Sequence, residues 1–82
     1  MKEPKTIEGA TLRKHRLALK YSQMDVAVRA EIETRQYQRL EYGERNMSSA
    51  SMRVGLAICA VLKIDPYQLI FGDGENDFFD KR

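Results

Sequence analysis

Arg35 and Arg39 are spaced i, i+4, with Gln36 and Gln38 between them and Thr34 just before. On a helix, residues four apart share a face, so both guanidinium groups project in one direction. Arginine can bond guanine in bidentate fashion and glutamine can bond adenine. A helix with an apolar back and an Arg/Gln front therefore suits the major groove of DNA. The surrounding stretch, Ser22 to Asn46 (SQMDVAVRAEIETRQYQRLEYGERN), reads as two short helices joined by a tight turn.

Catalytic chemistry has less to work with. His15 is the only histidine and Cys59 the only cysteine. His15 falls on an inward face, where a half-buried packing role is expected. No CxxC or HxxxH pair exists, and no nucleophile with a base or carboxylate pair reads at usable spacing. The chain is thus expected to be no enzyme and to hold no metal or cofactor. Cys59 lies in LAICAVL, where a buried thiol is the usual outcome.

The elements that must position these arginines belong to one small domain. At 82 residues the chain has a thin core, since a domain of this size buries roughly 60% of its unfolded surface. Its composition, 43% hydrophobic and 32% charged, is globular rather than disordered. No apolar run approaches the ~20 residues of a membrane span, and MKEPKTIEGA lacks a signal-peptide core. A cytoplasmic location is expected, with no membrane partner. Net charge is +2, but residues 10–63 hold ten bases against five acids, while Asp73–Arg82 holds four acids against two bases. A modestly basic body with an acidic tail fits a nucleic-acid partner.

Residues 1–9 contain Pro4 and Gly9 without periodicity and are expected to form a flexible arm. Residues 10–72 carry five helical stretches and no strand-type alternation. The first, about Ala10 to Lys20, turns Leu12, His15, Arg16 and Leu19 to one side. Arg16 on an inward face needs a carboxylate partner. Ser22 is a good N-cap for the second helix, with Asp25 at the capping-box position. That helix runs from Gln23 to about Ala30 and buries Val26, Ala27 and Ala30. Glu31 and Ile32 form the turn. The third helix starts at Glu33 or Thr34, buries Tyr37, Leu40 and Glu41, and stops at Gly43. Ser48, Ser49 and Ser51 are candidate N-caps for the fourth, whose buried side is expected to be Met52, Leu56, Cys59, Ala60 and Leu62. Gly55 in that helix means either close packing or tolerated weakness. Asp65-Pro66 opens a short fifth helix to Phe71. Residues 73–82 form an acidic tail whose Phe78 and Phe79 are suited to a core, a dimer interface or a protein partner.

The ordered set Leu12-Arg13-x-x-Arg16, Ser22-Gln23-x-x-Val26-Ala27, Ile32, Arg39-Leu40-Glu41-x-Gly43 and Arg45-Asn46 resembles the Cro/cI-like, or xenobiotic-response-element-type, helix-turn-helix family. The resemblance continues through Ile58 to Pro66 and covers roughly residues 10–72. It implies an all-α, five-helix, lambda-repressor-like domain with the helix-turn-helix at helices 2 and 3. Helix 2 would lie across the DNA backbone and helix 3, about 33–42, would enter the major groove. By position, Gln23 would bond a phosphate, and Thr34, Arg35 and Arg39, with Gln38 outermost, would face bases or flanking phosphates. Arg45 and Asn46 would hold the backbone. Arg16 would pair with Glu41, fixing helix 1 against helix 3. Three features differ from the family pattern, one being about three extra residues between Gly43 and helix 4. Glu31 replaces the usual turn glycine, and Glu33 stands where a Ser or Thr N-cap is common.

The function this implies is sequence-specific binding of double-stranded DNA by a transcriptional regulator, as a homodimer on a palindromic site. The alternative is a protein-binding module on the same fold, antitoxin-like or antagonist-binding. Glu31 and Glu33 favour that alternative, because acids there repel phosphate while suiting the helix dipole.

Overall fold

The computed structural model describes residues 2–72 and builds them into five α-helices, with no strand among the described residues. They are α1 (Ile7–Ala18), α2 (Gln23–Ala30), α3 (Thr34–Tyr42), α4 (Met52–Leu62) and α5 (Pro66–Phe71), with a 3-10 turn at Met47–Ser49 before α4. Among the described residues no helix is long and apolar enough to cross a membrane. Phe78 and Phe79 lie outside the described residues.

Short polar side chains set the starts. Thr6 accepts from the Gly9 amide at the head of α1, and Ser51 accepts from Val54 at the head of α4. Ser22 and Asp25 form a complete capping box, so the shorter aspartate still reaches the Ser22 amide, at 2.8 Å. Asp65 accepts from Tyr67 and Gln68 at the head of α5, with Pro66 at the first helical position, where no amide partner is needed. At the head of α3, Glu33 makes no side-chain cap bond.

The first helix begins at Ile7, not Ala10, and the described residues just before it contact α3. The Lys5 amide donates to the Tyr42 carbonyl at 3.0 Å. Gly9 is buried against the Glu41 carbonyl, where an added Cβ would collide with backbone oxygen. A glycine inside a helix weakens it in isolation, which is why periodicity does not reveal this start. The tertiary contact is what the glycine serves.

The core forms where α2 packs on both α3 and α4, and α1 closes over α3. Leu12, Val26, Tyr37, Ile58 and Leu62 are fully removed from solvent. Burying each such aliphatic side chain contributes roughly 1.5–3 kcal/mol. Ala27 and Ala30, also buried, keep the α2 surface slim enough for its neighbours to approach.

Of the five residues expected on the buried side of the fourth helix, Cys59 and Leu62 are buried and Met52, Leu56 and Ala60 are not. Val54, Ile58, Cys59 and Leu62 point inward, while Met52 is 79% and Leu56 49% exposed and Ala60 is also exposed. MRVGLAICAVL is apolar almost all round, so its periodicity does not single out a face. Packing against α2 selects the Val54–Ile58–Leu62 row. Nothing approaches within 4 Å of a Cβ built at Gly55, so that glycine is a tolerated weakness and not a packing device.

The turn between α2 and α3 does require a left-handed residue. Glu31 has φ 60° and ψ 46°. A non-glycine residue there costs roughly 1–2 kcal/mol. Arg53 on α4 offsets part of this by donating to the Glu31 carbonyl at 3.3 Å.

Candidate nucleic-acid interface

The buried side of α3 is organised around one carboxylate. Glu41 is 0% exposed and Arg16 2% exposed. Arg16 Nε donates to Glu41 Oε1 at 2.7 Å and Nη2 donates to Oε2 at 3.0 Å. Tyr37 Oη donates to Oε1 at 2.7 Å, and Gln23 Nε2 donates to Oε2 at 3.0 Å. Arg16 also donates to the Tyr21 carbonyl at 2.9 Å. Burial by itself would push the Glu41 carboxyl up. The hydrogen bonds from Arg16, Tyr37 and Gln23 outweigh it and hold the group below the usual carboxylate range. Burial, together with the bond to Glu41, pushes the Tyr37 phenol far up, so it remains a donor. Contributions from α1, α2 and α3 thus meet on one anion, and α3 is held in both rotation and height.

The opposite side of α3 presents its charges to solvent. Arg35 and Arg39 are exposed there, Gln38 is half-buried and Thr34 is half-buried at the helix start. At the C-terminal end Gly43 adopts φ 86°. The Arg39 carbonyl then accepts from the Glu44 amide at 2.9 Å and the Arg45 amide at 3.2 Å. This left-handed stop folds the chain back and brings exposed Arg45 into a surface hollow shared with Glu33, Arg35 and Arg39. Asn46 follows, exposed, as the N-cap of the 3-10 turn.

Gln23 differs from the expectation that it reaches a phosphate. It is only 9% exposed, and both polar ends of its amide are engaged. Its nitrogen bonds Glu41, and its oxygen accepts from Gln38 Nε2 at 3.1 Å and from Tyr42 Oη at 3.4 Å. The unmet acceptors of a buried carboxylate pull it inward. Gln23 therefore positions Gln38 and α3.

No significant match to a protein-family model, a characterised protein or a solved structure is found.

Two residues that periodicity passes over also belong to this surface. Lys2 and Glu44 line a second hollow with Arg35, Gln38, Arg39 and Tyr42. Lys2 arrives because the N-terminal segment docks on the end of α3, a contact between distant parts of the chain that no local pattern encodes. Glu8, half-buried, accepts from the Met47 amide at 2.7 Å and so pins the loop that follows Asn46. On the far side, His15 is half-buried with Nδ1 3.2 Å from the Leu62 carbonyl, a packing contact between α1 and α4. Among the described residues no group of three His, Cys, Asp or Glu side chains is placed to hold a metal ion.

Proposed function

We propose that this chain is a sequence-specific double-stranded DNA-binding protein and a transcriptional regulator of bacterial or phage type. In this reading α2 and α3 form a helix-turn-helix on a lambda-repressor-like domain, and α3 enters the major groove. The observation that carries it is the two-sided character of α3. Arg35 and Arg39 stand exposed on one side with Arg45 beside them, while the other side is locked by the Arg16–Glu41 pair. A rigid helix presenting forked donors in one direction is what reading base edges requires.

Arg35 and Arg39 are the base-contact candidates, with Thr34 and Gln38 beside them. Arg45 and Asn46 are backbone contacts. A homodimer on a palindrome, acting in the cytoplasm on the nucleoid, completes the reading, since two half-sites about 34 Å apart multiply affinity and specificity.

A second reading is a protein-binding module on the same fold. Exposed Glu33 in the hollow with Arg35, Arg39 and Arg45 favours it, because it makes that surface mixed in sign.

Selection of random duplex DNA by the purified protein tests the first reading, repeated with Arg35→Ala and Arg39→Ala. An enriched palindrome, weakened by both substitutions and with steep salt dependence, is the expected result. The absence of any enriched sequence would favour the protein-binding module, whose complex persists at high salt.

A further inference from the structure

Lys2 Nζ donates to Glu44 Oε2 at 2.7 Å and lies 5.4 Å from the centroid of the Tyr42 ring. The two side chains are 60% and 34% exposed. They border the same hollow as Arg35 and Arg39. The Lys2 hydrogen bond first, and then the charges of Lys2, Lys5 and Arg39, hold the Glu44 carboxyl below its usual range. Cations from two segments far apart in sequence thus converge on one exposed carboxylate at the C-terminal end of α3.

A carboxylate and a phosphodiester are both monoanions that accept hydrogen bonds through oxygen. Cations arranged around one suit the other. An exposed ion pair is weakly held, because water screens it and two long side chains must be ordered. The Lys2–Glu44 pair is therefore one that a second anion can open.

We propose that Glu44 occupies, in the free protein, the seat of a DNA phosphate. On binding, Lys2 leaves Glu44 for the phosphate flanking the α3 contact. Lys2 is then a phosphate-contact residue, and Glu44 is an internal competitor that lowers affinity. This rests on the DNA-binding function proposed above and adds to it a means by which the same surface sets its own affinity.

The test uses a duplex selected by the unaltered protein, with fluorescence anisotropy between 50 and 200 mM salt. The proteins compared are the parent, Lys2→Ala, Glu44→Gln, the double variant, and Glu3→Gln. The last removes an equal charge from the same arm, where Glu3 pairs with Arg13 instead. Lys2→Ala is expected to weaken binding and to lower the log–log salt slope by about 0.9, one phosphate contact. Glu44→Gln is expected to tighten binding about two- to fivefold, and that gain should shrink when Lys2 is already absent. Carbon NMR of the Glu44 carboxyl supplies a readout independent of affinity, since its titration should move upward in the complex once Lys2 has left. An unchanged slope in Lys2→Ala overturns the proposal while leaving DNA binding intact. So does a gain in Glu44→Gln no larger than in Glu3→Gln. A parent protein that binds no duplex at any salt overturns both this proposal and the DNA-binding function.

Discussion

Arg16 and Glu41 meet in a buried bidentate pair, Nε to Oε1 at 2.7 Å and Nη2 to Oε2 at 3.0 Å. The pair joins α1 to α3, and Gln23 brings α2 to the same carboxylate. Removing one partner leaves the other charged group without its counterion in a dry site. Arg16→Met is expected to cost roughly 3–5 kcal/mol, read by urea unfolding. Unchanged stability would contradict the role given to this pair.

Acid should expose the same network. The folded Glu41 carboxyl lies below its unfolded value, which is about 4.3. Its contribution is therefore present above that pH and lost as pH falls through the folded value, because the unfolded state binds its proton first. Glu41→Gln is expected to flatten the acid limb of a stability–pH curve relative to the parent. Parallel acid limbs would count against it.

The two glycines within the described helices, Gly9 and Gly55, should respond in opposite directions to alanine. Gly9→Ala improves helix propensity, yet its Cβ meets the Glu41 carbonyl. Forcing that contact is expected to destabilise by about 1–3 kcal/mol. Gly55→Ala meets nothing within 4 Å and is expected to stabilise by up to about 1 kcal/mol. Thermal melts of the two variants decide the signs.

Glu31 carries the turn at φ 60°. Glu31→Gly should relieve the left-handed strain, offset in part by the greater freedom glycine gives the unfolded chain. A net gain of about 1 kcal/mol or less is expected. Removing an acid beside the start of α3 should also tighten binding to DNA. A loss of stability would show that Glu31 makes contacts outweighing its backbone cost.

Contact and support should separate when affinity and stability are measured together. Arg39→Ala removes an exposed side chain and is expected to weaken duplex binding by roughly 1–3 kcal/mol, with its melting curve unchanged. Gln23→Ala removes a buried donor to Glu41 and is expected to lower stability by roughly 1–3 kcal/mol. Arg39→Ala leaving affinity intact would remove it from the contact set.

Local rules made much of this architecture readable. Ser22, Asp65-Pro66 and Gly43 mark helix ends through chemistry that acts within a few residues, and α2 and α5 have the bounds those residues predict. Amphipathic segments also disclosed their inner faces, as with Tyr37, Leu40 and Glu41 on α3. Where a segment is apolar almost all round, as α4 is, no pattern distinguishes the face, and Met52 and Leu56 turn out to solvent. By position Gln23 is expected at a phosphate, and the structure turns it inward instead. A glutamine at a helix start bonds whatever acceptor is near, and here the acceptor is Glu41.

By itself the sequence determined the all-helical class, the N-caps of α2 and α5, and the need of an inward Arg16 for a carboxylate. Each depends on residue type and short-range spacing. Tertiary structure decided that Gly9 and Lys5 dock the N-terminal segment on α3, that Gln23 turns inward, and that Lys2 and Glu44 join Arg35 and Arg39 on one surface. Those outcomes depend on groups far apart in the chain, whose meeting is fixed only when the helices pack.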